Sequence, residues 1–128
     1  MTWEKNLITY RREKASTTLR DARILFEAKS FHSAVNRIYY AMFYEVSALL
    51  LTRKISASKH TGVRAKFAEH FIKTGIVSKD IGRFYSKMFD FRQEGDYDDF
   101  VYFEEEKVKI WLETAEKYIK ILEELLDK

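Results

Sequence analysis

Arg92 stands where an apolar side chain is expected. It follows Ile81 by eleven positions, Tyr85 by seven and Met88 by four, a spacing that puts it on the apolar face of one helix. A guanidinium there must reach outward along its stem, meet a carboxylate, or face a cleft that takes an anion. Gly95 comes next, then Asp96, Tyr97, Asp98 and Asp99. Two roles fit: an ion pair with Asp96 or Asp99 that holds a turn, or a cation aimed at phosphate with Tyr97 as a stacking or proton-handling neighbour. His60 sits just before another helix, beside Lys59 and Arg64. An imidazole in that setting can meet a phosphate or an acid of the Arg92 turn, or simply fix its loop by hydrogen bonding.

A third group lies on a more apolar helix. Arg37, Tyr40 and Tyr44 are spaced i, i+3 and i+7 and so share one strip. Facing the Arg92 turn, they would complete a pocket with a fixed positive charge and aromatic walls; facing inward, they would form a tyrosine network that orders the core. His32 and His70 have no nameable partners and read as structural or exposed. With no cysteine and three scattered histidines, no metal and no cofactor is expected, and the acids near Asp96 read as a solvated turn and helix start.

These groups must be held by helices. The 128 residues contain no proline and four glycines, too few turn formers for a β-sandwich or barrel. Ala15, Leu19, Ala22 and Phe26 mark a first helix, followed by a tight turn near Lys29–His32. From Phe31 to about Arg53 only Arg37 and Glu45 are charged before Thr52. A helix apolar nearly all round is buried on most sides, so this is the central one. Ser56 to Lys59 reads as a loop. Val63, Phe67 and Phe71 mark a third helix that Gly75 ends, and Ser78 starts a fourth that Gly95 stops. The last helix starts between Asp99 and Glu104, with Glu104 to Glu106 complementing its dipole. The expected fold is one all-α domain over residues 1–128, an up-and-down bundle of about four long helices plus short helical pieces.

Residues 1–92 hold 18 Lys/Arg against 8 Asp/Glu, whereas residues 93–128 hold 5 against 12. That polarity fits a basic surface for an anionic partner, extended for RNA by Lys5, Arg11, Arg12, Lys14, Arg20 and Arg23, or complementary faces meeting between subunits. The most apolar run, Ile38 to Thr52, is shorter than a bilayer requires and the N-terminus lacks a signal-peptide core, so a cytoplasmic protein is expected.

Three separated strings carry a resemblance. Asn36-Arg37-Ile38-Tyr39-Tyr40-Ala41-Met42-Phe43, Lys59-His60-Thr61-Gly62-Val63 and Arg92-Gln93-Glu94-Gly95-Asp96-Tyr97-Asp98 resemble, in order, motifs of the HEPN domain family, in its small single-domain prokaryotic branch. The resemblance implies a homodimer, often paired with a minimal nucleotidyltransferase, and in the best understood members a toxin that cleaves RNA without metal. Their signature is an Arg followed, after four to six residues, by a His. Arg92 matches the Arg, but the corresponding places hold Tyr97 and Asp99, and no histidine follows His70. Imidazole suits proton transfer near neutral pH, whereas Tyr needs a large pKa shift. The expectation is therefore a dimeric module that binds nucleotide or RNA through Arg37, Tyr40, His60 and Arg92. The alternatives are a ribonuclease that uses Arg92 with Tyr97, Asp96 or His60, and a helical adaptor that makes only protein contacts.

Overall fold

The computed structural model describes residues 2–97 and 102–128. Its helices are α1 (Thr2–Glu27), α2 (Phe31–Leu51), α3 (His60–Phe67), α4 (Lys79–Tyr97) and α5 (Glu105–Leu126), with a π-helical turn (Ala68–Ile72) continuing α3. Side-chain pairs give the directions. Lys14 lies over Tyr44 and Phe26 meets Phe31, so α1 and α2 run antiparallel. Arg12 pairs with Glu123 and Arg23 with Glu116, so α5 runs against α1. Phe84 meets Tyr118 and Phe91 meets Trp111, so α4 runs against α5. The four long helices thus alternate up, down, up and down, as expected, with α3 as the short piece. Among the described residues, no helix is long and apolar enough to cross a membrane.

Central placement falls to α2. It packs on α1, α3, α4 and α5, and Ile38, Tyr39, Ala41, Met42 and Val46 are wholly inaccessible. Glu45 is enclosed with them at 0% exposure, and neither of its oxygens meets a hydrogen-bond donor among the described residues. Burial raises its pKa, and the negative charge of the neighbouring Glu123 raises it further, more than the Arg12 cation lowers it. Glu45 is therefore an uncharged acid at neutral pH.

The connections explain how a chain with so few glycines turns. Lys29 and Lys54 both adopt left-handed backbone, with φ of 62° and 59°. After α1, Lys29 N–H donates to Phe26 O and Ser30 N–H to Leu25 O. After α2, Lys54 N–H donates to Leu51 O and Ile55 N–H to Leu50 O. Each is the paired closure that usually carries glycine at the left-handed position. A lysine there costs about 1 kcal/mol. Lys29→Gly and Lys54→Gly should each raise the stability measured by urea unfolding by up to about 1 kcal/mol.

Two helix ends differ from expectation. Gly75 has φ of 80°, as a left-handed cap requires, but the helix before it widens into the π turn, closed by Lys73 N–H donating to Ala68 O. Phe67 and Phe71 stay buried across this change. Gly95 does not stop α4, which continues through Asp96 to Tyr97. An interior glycine costs a helix only about 1 kcal/mol, which the neighbouring turns can carry.

The polarity of the chain is partly consumed inside the fold. Arg12 donates to Glu123 and Asp127, and Arg23 to Glu116, so these two N-terminal cations tie α1 to the acidic α5. Both arginines stay partly exposed while they brace α1 against α5.

Candidate functional site

The residues set apart by their spacing converge around one pair of rings on α2. Arg92 is half-buried on α4, with its guanidinium carbon 5.1 Å from the centre of Tyr39, 5.9 Å from Tyr40 and 5.8 Å from Phe89. Ring faces carry negative potential, so all three attract the cation. Arg37 approaches Tyr40 at 5.0 Å, and its guanidinium donates twice to Asn36 Oδ1, which fixes the planar fork. Tyr44 continues the strip, 6.1 Å from Tyr40.

His60 enters from the first residue of α3. Its ring lies 4.5 Å from Phe43, 5.5 Å from Tyr40 and 5.7 Å from Tyr39, and its Nδ1 is 2.7 Å from the Tyr39 hydroxyl. Burial lowers the His60 pKa and the Arg92 charge lowers it further, so the imidazole is neutral at pH 7. Burial likewise pushes Tyr39 up to about 12, so this phenol keeps its proton. The Tyr39 contact orients the imidazole and engages one of its two nitrogens. A neutral, oriented imidazole beside a fixed guanidinium can accept or relay a proton while the cation holds an anion.

Arg37, Tyr40, His60 and Arg92 are therefore neighbours in space. Asp96 and Tyr97 lie in the last turn of α4, where the structure describes their backbone alone, and Asp98 and Asp99 fall outside the described residues. Away from this cluster, the His32 ring packs 5.0 Å from Phe103, and His70 Nε2 lies 3.3 Å from a Glu69 oxygen.

Two residues join the cluster that spacing did not assign to it. Tyr39 read as part of the apolar stripe and is indeed fully buried, with Tyr85 stacked on it at 5.8 Å, yet its hydroxyl contacts His60. Arg64 read as a neighbour of His60 in sequence; its guanidinium lies 4.2 Å over Phe89, the ring that Arg92 also flanks. Contact across 21 residues leaves no periodic trace, so no pattern in the chain pairs Tyr39 with His60.

An all-α bundle with an arginine and aromatic rings gathered across its central helix defines a class, and comparison places the chain within it. The HEPN domain model matches residues 8–125, and the chain belongs to that family. A UPF0332 protein of Thermotoga maritima is 49% identical over 127 residues, covering 99% of this chain and 96% of its own. Two Methanocaldococcus jannaschii proteins are also similar. "Putative toxin MJ0142" is 36% identical over 84% of this chain and 78% of its own, and "Putative toxin MJ0605" is 38% identical over 89% and 87%.

Proposed function

We propose that this protein is a toxin-like HEPN module of the cytoplasm. It acts as a homodimer of a single-domain chain, binds RNA or nucleotide phosphate at the Arg92 cluster, and is held in check by a nucleotidyltransferase partner. The gathering of Arg37, His60 and Arg92 around Tyr39 and Tyr40 carries the reading, because it presents fixed cations beside ring faces, the two features a single-stranded nucleic acid engages. Membership of the HEPN family and the names of the M. jannaschii relatives support the toxin-like part. Dimerisation would bring a second Arg92 to the same cleft, where a bound anion or the Asp96–Asp99 acids would relieve the repulsion. Titration of fluorescent single-stranded RNA at two ionic strengths, with molar mass measured in parallel, tests this. Binding that weakens with salt and grows with dimer population supports it; no binding at either ionic strength rejects it.

A second reading, metal-independent RNA cleavage, is favoured by one observation: His60 and Arg92 pack on the same two rings, Tyr39 and Tyr40, where burial and the Arg92 charge lower the His60 pKa. His60 would stand in for the histidine missing after Arg92, with Tyr39 as its positioning residue. Incubation of RNA with the protein in chelator checks it. If His60 is the base, the acid limb of the rate profile falls below the ordinary histidine value of 6.5, because the active neutral form persists to lower pH. Removing the Arg92 charge would move the remaining limb upward.

A further inference from the structure

A groove of about 780 Å³ opens between the α3–π segment and α4, and nothing in the Arg92 cluster accounts for it. Phe67 and Ile72 contribute to its apolar floor. Gly82 lets α4 come close to the π turn, since a Cβ there would meet Ile72 side-chain carbons at 3.1 Å. The rim is basic. Lys79, Arg83 and Lys87 line it from α4 and Arg64 from α3, with Asp90 as the acid among the lining residues.

The cations of α4 are spaced i, i+4 and i+8, which places them on one face about 6 Å apart. That interval is close to the separation of successive phosphates in an extended single strand. All three are exposed. Arg83 lies 3.3 Å from Asp80, and Arg64 3.6 Å from Asp90. Such solvent-facing pairs hold weakly and yield readily to a polyanion. The row also leads somewhere. Arg64 lines the groove beside Asp90 and flanks Phe89, whose ring Arg92 flanks too, so Arg64 links the groove to the Arg92 cluster across that ring, although Arg92 itself stands on a different face of α4 from the lysine–arginine row.

We propose that this groove is an extended subsite for single-stranded RNA, in which Lys79, Arg83, Lys87 and Arg64 hold successive phosphates and the apolar floor takes the bases. The proposal rests on the Arg92 cluster being the primary phosphate site. A second copy of the chain seated symmetrically here would oppose like charges. An acidic helix of a protein partner would satisfy the charge but would not need the regular interval or the link to Arg92.

The test compares a two-nucleotide and an eight-nucleotide single-stranded RNA on the wild-type protein, on Arg92→Ala and on the triple variant Lys79→Glu/Arg83→Glu/Lys87→Glu, with folding verified by thermal melts. A milder set, the same positions changed to Gln, serves if the reversed charges disturb α4. The eight-mer binds the wild-type protein more tightly than the two-mer. In the triple variant this gain falls about tenfold and the salt slope of eight-mer binding falls by about 2, while two-mer binding is kept. Arg92→Ala loses the two-mer. A length gain and salt slope that survive the triple variant overturn the groove assignment and leave the Arg92 site standing. Loss of neither ligand in Arg92→Ala rejects the primary site instead. Salt-sensitive capture of an acidic amphipathic peptide, with no gain from RNA length, overturns the proposal in favour of a protein partner.

Discussion

Arg92→Ala lowers affinity for single-stranded RNA by about tenfold to a hundredfold while leaving the bundle folded. The size follows from what the side chain supplies: a phosphate hydrogen-bonded to a charged donor is stabilised by about 1.5–3 kcal/mol, and about 1.4 kcal/mol is a factor of ten. Its position makes the loss hard to replace. Arg92 is half-buried against Tyr39, Tyr40 and Phe89 and has little conformational freedom left to lose on binding. The fold tolerates the change because the rings that hold Arg92 also pack on one another: Tyr39 stacks on Tyr85 and meets Phe89 edge-on. Arg92→Lys retains the charge but loses the planar fork, so it falls between wild type and alanine. Equilibrium binding at low salt, with a melting curve for each variant, checks all three.

Glu45→Gln stabilises the protein above pH 7 and removes a pH dependence that wild type shows. The carboxyl is enclosed on the central helix with no donor for either oxygen, and both burial and the Glu123 charge favour its protonated form. In the unfolded chain it ionises near the ordinary value of 4.5. Above that value the unfolded state releases a proton that the folded state keeps. Stability from this group is therefore fully present below pH 4.5 and declines as pH rises toward the folded pKa, by up to about 1.4 kcal/mol per pH unit. Between pH 5 and pH 7 the wild-type protein loses up to about 2–3 kcal/mol from this source, and Glu45→Gln, of nearly the same shape and uncharged throughout, does not. Urea unfolding of both proteins at pH 5, 6, 7 and 8 checks it; parallel curves would show that Glu45 reaches a charge partner in solution.

How much of this was legible in the chain differs by element. The central helix was plain, because only Arg37 and Glu45 interrupt its apolar run. Arg92 announced itself by occupying a stripe position, and the charges and rings of Arg37, Tyr40 and His60 marked them as its company. Tyr39 was legible as core and invisible as a hydrogen-bond partner of His60, since periodicity reports which way a residue faces and not what its polar tip meets. The ends of α1 and α2 were placed within two residues, but the left-handed backbone at Lys29 and Lys54 that closes them was not legible, because glycine is its usual signal and here tertiary packing supplies the cost instead. The π turn was equally silent: Phe67 and Phe71 keep an i, i+4 interval that an ordinary α-helix also gives. The groove depends on that turn meeting Gly82 from another helix, a juxtaposition no local pattern encodes.

The most direct test of the Arg92 cluster reads His60 itself. An NMR titration of its imidazole, with and without a saturating two-nucleotide RNA, reports the local charge through the pKa. Alone, His60 titrates below 6.5, because burial and the Arg92 charge disfavour the imidazolium. A bound phosphate offsets that charge, so the midpoint rises when the RNA is present. In Arg92→Ala the free midpoint lies closer to 6.5 and the RNA no longer moves it. A wild-type His60 whose titration is unchanged by RNA would contradict the account.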